Sequence, residues 1–148
     1  MADTKLQITL KKLLQDGHQV EVPAHGISMY PLLHPGDKVV VIPKLPQTGD
    51  IGVFCHQDIL IAHRLIKTDN CHYYFKGDAL IRSDTPVKAK DVLGTVVARK
   101  RNNKTTSTNQ LLFRLFKKLM PKLTPITGRP FNYYGRIHYK LTTLLSGN

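Results

Sequence analysis

Two Gly-Asp pairs, Gly36-Asp37 and Gly49-Asp50, open directly onto short β-branched runs, Lys38 to Ile42 and Ile51 to Cys55, and a third pair, Gly77-Asp78, follows. Glycine supplies the turn conformations that side chains resist, and runs this short and this rich in Val and Ile pack better as strands than as helices. Such punctuation commits the chain to a mainly β body with tight connections. The spacings between the pairs share no period, so no solenoid is expected. Val20, Val22 and Ala24 alternate with polar neighbours and predict a strand that runs into a turn at Gly26. Further strands are expected at 58–66, 71–76 and 92–99. Residues 4–15 place Leu6, Leu10, Leu13 and Leu14 at helical spacing ahead of Gly17, which predicts a short opening helix.

Charge divides the chain unevenly. Residues 1–98 carry 11 Lys/Arg and 10 Asp/Glu, whereas residues 99–148 carry 11 Lys/Arg and no acid. The basic character therefore belongs to an appendage, and it reads as a contact surface for anionic lipid, nucleic acid or an acidic partner. The composition predicts a compact domain over 1–98, a linker over 99–110 and a basic amphipathic helical tail over 111–148. In the tail, Leu111, Leu112, Leu115, Phe116, Leu119 and Met120 fall on one helical arc, opposite Arg114, Lys117 and Lys118. Pro121 is expected to stop that helix, and the stretch from Tyr134 to Leu145 is only weakly helical in pattern. Peripheral contact with an anionic membrane and packing on the body are the two destinies expected for the tail. Tyr133, Tyr134 and Tyr139 among Arg129, Arg136 and Lys140 could stack on bases, yet no nucleic-acid recognition motif accompanies them.

Two cysteines, Cys55 and Cys71, make no disulfide framework, and no run resembles a signal peptide or a membrane span, so a cytoplasmic setting is expected. Cys55-His56 and Cys71-His72 superficially suggest zinc, but adjacent strand residues point to opposite faces. No metal and no cofactor is called for.

The chemistry-bearing residues are Ser28, in Gly26-Ile27-Ser28-Met29-Tyr30-Pro31, then His63, in Ile61-Ala62-His63-Arg64-Leu65-Ile66, and beyond it Asp78 and Asp84. A hydroxyl, an imidazole and a carboxylate are the parts of an activated serine nucleophile. Each also has a plainer reading. Ser28 could be a turn serine, His63 a core histidine on the face shared by Ile59, Ile61 and Leu65, and Asp84 a turn initiator before Pro86.

Taken in order, the serine segment, Gly36-Asp37, Gly49-Asp50-Ile51-Gly52-Val53-Phe54, His63-Arg64-Leu65-Ile66, Lys76-Gly77-Asp78, Asp84, Pro86-Val87 and Val92-Leu93-Gly94 resemble the signature of type I signal peptidases and the SOS-type repressor autoproteases. The resemblance spans roughly residues 20–98, about half the chain. It is to the histidine-base branch, found in archaeal, endoplasmic-reticulum and sporulation-type members. The resemblance implies a signal-peptidase-like β fold and a serine endopeptidase that cleaves leader or signal segments from precursor peptides. Ser28 would be the nucleophile, His63 the general base and Asp84 its orienting carboxylate, with Asp78 and Met29 in support. A free histidine, near ~6.5, is mostly neutral at pH 7, whereas a lysine near ~10.4 must first be desolvated, so a histidine base tolerates a wetter site. The relatives commonly have Asn-Asn where this chain has Ala79-Leu80. The rival readings are a non-catalytic peptide- or membrane-binding module and a self-cleaving regulator; for the latter, only 25 residues precede the serine motif, too few for a DNA-binding helix pair.

Overall fold

The computed structural model describes residues 2–146. A helix, α1 (Ala2–Gln15), precedes strands β1 (Val20–Pro23), β2 (Lys38–Ile42), β3 (Ile51–His56), β4 (Ile59–Thr68), β5 (His72–Lys76), β6 (Val87–Lys88), β7 (Val92–Arg101) and β8 (Lys104–Ser107), and α2 (Leu111–Ser146) closes the chain. The strands form one antiparallel sheet in the order β1-β2-β7-β3-β4-β5-β6, with β8 on β7. The mainly β expectation and the opening helix both hold.

One side of the sheet and α1 share a core that includes Leu10, Leu14, Val22, Val39, Val41, Val53 and Val96, and a second cluster gathers Phe54, Leu65, Phe75, Val87 and Val92. Alternate residues of β3 supply the two clusters, as the strand period requires: Val53 goes to one and Phe54 to the other.

The first two Gly-Asp pairs are turns with positive φ, 90° at Gly36 and 92° at Gly49. Their aspartates reach outward in sequence. Asp37, 2% exposed, accepts from Arg101 at 2.6 and 2.7 Å, and Asp50 lies 2.7 Å from Lys117 Nζ.

Two expectations for the second half are corrected. The stretch predicted as a linker over 99–110 is mostly a hairpin: β7 runs to Arg101 and β8 returns from Lys104, pairing Ala98 with Ser107. Asn102 and Asn103 take the turn with φ of 48° and 61°, a left-handed pair that asparagine tolerates and that matches the twist of a two-residue hairpin. The Lys/Arg/Thr composition hid the strand because the long cationic side chains are themselves the packing groups. Arg99 donates to the Leu32 carbonyl at 2.7 Å and lies over the Phe113 ring.

The second correction concerns Pro121, which does not stop the tail helix. α2 is one helix of 36 residues with Pro121, Pro125 and Pro130 inside it. A mid-helix proline deletes the N–H that the carbonyl four residues earlier would accept from. At Pro121 that carbonyl belongs to Lys117, and it lies against Gly49, at a distance a Cβ on residue 49 would not permit. Tertiary packing thus stabilises a helix that its local sequence disfavours. Phe113 and Met120 are buried, and Gly128 and Gly135 bring the backbone against Leu80 and against Tyr30.

The last of these contacts is aromatic. Tyr30 stacks on His34 with centroids 4.4 Å apart, and its hydroxyl lies 3.0 Å from His138 Nδ1. Burial holds the His34 pKa below its ordinary value, with Arg101 adding to the shift, His138 reinforcing it and Asp37 opposing it. A histidine that resists protonation when folded binds its proton more tightly when unfolded, so its contribution to stability is present above about pH 6.5 and is lost as pH falls toward the folded value. The melting temperature is expected to decline from pH 7 to pH 5, and less steeply in His34→Gln. Equal slopes in parallel thermal melts would remove His34 as the cause.

Candidate active site

Ser28 sits in the turn that follows β1. Ala24 donates to the Asp37 carbonyl at 2.8 Å, joining the two ends of the connection to β2. Within it, Tyr30 N–H reaches the Ile27 carbonyl at 3.2 Å and Leu33 N–H the Met29 carbonyl at 3.0 Å. Met29, Tyr30, Leu32 and Leu33 are all buried, so apolar anchors immediately after Ser28 hold its backbone in place. The Ser28 carbonyl also accepts the N–H of Ala79 at 2.8 Å. Gly77 makes that approach possible, since a Cβ there would stand 2.7 Å from the same oxygen. The glycine of the third Gly-Asp pair is required by close contact, that of the first by φ, and that of the second by both.

His63 lies on β4 opposite Gly52 and is 6% exposed. Its Nε2 is 3.0 Å from Ser28 Oγ, and its Nδ1 is 2.7 Å from Asp84 Oδ2. An ionised carboxylate only accepts, so the Asp84 contact places the proton on Nδ1 and leaves the Nε2 lone pair to accept from the serine hydroxyl. The Phe54 ring packs edgewise on the imidazole at 6.2 Å. Asp84 lies beyond β5 in a segment tied back by its own N–H to the Phe75 carbonyl at 2.9 Å. Its side chain is 20% exposed, so one side of this chain of hydrogen bonds meets solvent.

Asp78 lies outside that chain. It makes a bidentate pair with Arg64, at 2.7 Å to Nε and 2.6 Å to Nη2, while Arg64 Nη1 donates to the Gly49 carbonyl at 2.7 Å. Both side chains are 2% exposed. Arg64 follows His63 directly and Asp78 precedes Ala79, so this ion pair ties the histidine strand to the loop that braces Ser28. Asp78 is a strut, with no side-chain hydrogen bond to Ser28 or His63 among the described residues. Lys76, the last residue of β5, is buried, and desolvation lowers its pKa while Asp78 opposes the shift. Met29 is buried in the core and lines the cavity beside Ser28.

That cavity, about 320 Å³, borders Ser28 and His63 and is walled chiefly by Val22, Met29, Leu33, Val53, Leu60 and Ala62. Two strand edges flank it. Among the described residues β1 pairs with β2 alone, and β4 from Ile59 to His63 pairs with β3 alone, because its pairing with β5 begins at Arg64. The α1 helix closes one end, where the Gln7 side-chain carbonyl accepts the Leu60 N–H at 3.0 Å.

Ser28, His63 and Asp84 are thus brought together, and Asp78 and Met29 stand beside them in bracing and lining roles. Arg64, Gly77 and Gln7 belong to the same assembly and were not assigned functions from sequence. For Arg64 a signal was present: a cation set between the apolar runs 59–62 and 65–66 needs an anion if it is buried with them. Compared with known proteins, the chain matches no family model and no curated sequence.

Proposed function

We propose that the protein is a serine endopeptidase of the type I signal-peptidase kind, acting through Ser28, His63 and Asp84 on precursor peptides. One observation carries the reading: a continuous line from Ser28 Oγ through both nitrogens of His63 to Asp84, with separations of 3.0 and 2.7 Å. Three side chains from three separate segments, in the order that proton transfer needs, beside an apolar cavity, are difficult to reconcile with a turn serine and a core histidine.

The geometry supports the following course. A peptide lies extended between the free edges of β1 and β4, with a side chain next to the scissile bond in the cavity. Ser28 Oγ attacks the carbonyl carbon as its proton passes to His63 Nε2. Asp84 stabilises the resulting imidazolium through Nδ1–H. The tetrahedral oxyanion is received by backbone N–H groups of the serine turn, including that of Ser28. The imidazolium then protonates the leaving amine as the C–N bond breaks, and a water, deprotonated by His63, releases the acyl group from Ser28 and restores the site. The substrate class, leader or signal segments with small residues beside the cut, rests on the family resemblance.

A fluorophosphonate probe tests the chemistry directly. The expected result is one covalent adduct, mapped by mass spectrometry to Ser28 and missing in His63→Ala. An unlabelled Ser28 in the folded protein, together with tight binding of an uncleaved leader peptide, would identify a peptide-binding module instead.

A further inference from the structure

The outer face of α2 points to a ligand of its own. While Phe113, Met120, Gly128 and Gly135 pack on the body, Leu115, Leu119, Ile126, Tyr133, Ile137 and Leu144 are between 41 and 77% exposed. At 3.6 residues per turn these six fall within an arc of about 40°, continued along about 40 Å of helix. Lys118, Lys122, Arg129, Arg136 and Lys140, all exposed, form a row along one flank of that stripe. No Asp or Glu occurs anywhere from residue 99 onward. A solvated helix face has no need of six large apolar groups in line, and a face that packs on protein has no need of an uninterrupted cationic border.

We propose that this face docks on an anionic phospholipid surface, with α2 lying in the headgroup plane, the apolar stripe among the upper acyl carbons and the basic row against the phosphates. Charge decides among occupants. A second copy would bring two cationic borders together with no acid on either, and an apolar partner helix would cover the stripe and leave the border unmatched. An anionic bilayer supplies both kinds of contact at once. Crossing the bilayer is not at issue, because among the described residues no helix is long and apolar enough to span one. The opposite face of α2 rests through Gly128 on Leu80, next to the Ala79 that donates to the Ser28 carbonyl, and through Gly135 on Ile27 and Tyr30, which bracket Ser28 in sequence. Docking by α2 therefore sets the orientation of the candidate site to the membrane. The proposal does not depend on the peptidase reading, since it concerns the outer face alone.

The chain contains no tryptophan, so Ile126→Trp makes the stripe report on itself. With vesicles of phosphatidylcholine and phosphatidylglycerol, this variant is expected to co-sediment and its emission to shift to the blue. With phosphatidylcholine alone, partitioning is expected to fall on the order of tenfold or more, as it does when salt screens a basic surface. The double replacement Ile126→Asp with Ile137→Asp, at two exposed positions, is expected to lower partitioning on the order of tenfold or more while leaving the circular dichroism spectrum intact. Lys122→Gln with Arg129→Gln, Arg136→Gln and Lys140→Gln is expected to erase the preference for phosphatidylglycerol. The proposal fails if the folded protein does not co-sediment with the anionic vesicles, or if the double aspartate variant binds as well as the parent. It also fails if light scattering finds a dimer that the aspartates dissociate, which would assign the stripe to a second copy.

Discussion

Turnover of a leader peptide is expected to fall by about 10⁴- to 10⁶-fold in Ser28→Ala and in His63→Ala, and the double variant should be scarcely worse than either single one. The non-additivity is the informative part. Without the hydroxyl there is no proton for the imidazole to take, and without the imidazole the hydroxyl is a poor nucleophile, so the second removal takes away nothing that still functions. Asp84→Asn probes the third member with little change of shape. An asparagine turned to offer its amide N–H would favour the tautomer with the proton on Nε2, the nitrogen 3.0 Å from Ser28 Oγ, where a lone pair is needed. A loss of about 10³- to 10⁴-fold in kcat, with KM little altered, is expected. If Asp84→Asn retains full kcat, the carboxylate is a turn residue and the site is a Ser-His dyad. If the two single alanine variants retain activity, catalysis by these residues is excluded.

The second large effect is on stability. Asp78→Ala leaves the Arg64 guanidinium in the protein interior, still donating to the Gly49 carbonyl but with its carboxylate gone. Breaking a buried pair by removing one partner costs about 3–5 kcal/mol, because the remaining charge is neither solvated nor neutralised. For a chain of this size that corresponds to a fall in melting temperature on the order of 10 °C. Replacing both partners by apolar residues, Arg64→Met with Asp78→Leu, is expected to recover much of the loss, since no bare charge then remains. Calorimetry on the parent and these two variants would decide. A double variant no more stable than Asp78→Ala would show that the Gly49 hydrogen bond and local packing matter more than the charge.

The pairing of Arg64 with Asp78 illustrates how legibility varied along the chain. Short-range chemistry was readable. Val-rich runs after Gly36-Asp37 and Gly49-Asp50 became β2 and β3, the leucine spacing of 4–15 became α1, and the strands expected at 58–66, 71–76 and 92–99 appear with ends shifted by a few residues. The two misreadings arose where a local rule was outweighed. Asn102-Asn103 carries a hairpin signal, but the cationic run around it has the composition of a solvated linker, and it is the inward packing and donation of Arg99 and Arg101 that make it part of the sheet. Pro121 obeyed its local rule, losing a helical hydrogen bond, while burial of Phe113 and Met120 and the room left by Gly49 outweighed that loss.

In the site, residue types and their order marked Ser28, His63 and Asp84 as candidates, yet each retained an ordinary explanation until their separations were known. Asp78 stood equally close to that set in sequence and proved to be a strut. By itself the sequence determined the strand and turn punctuation, the opening helix, the segregation of basic charge and the set of groups able to do acid-base chemistry, because backbone preference and side-chain periodicity act over a few residues. Only the tertiary structure decided which carboxylate meets the imidazole and which meets Arg64, that three Gly-Asp turns anchor cations from three different elements, and that a proline-bearing tail is one helix with an uncovered face. Those outcomes depend on contacts between groups 14 to more than 60 residues apart, whose geometry no local preference encodes.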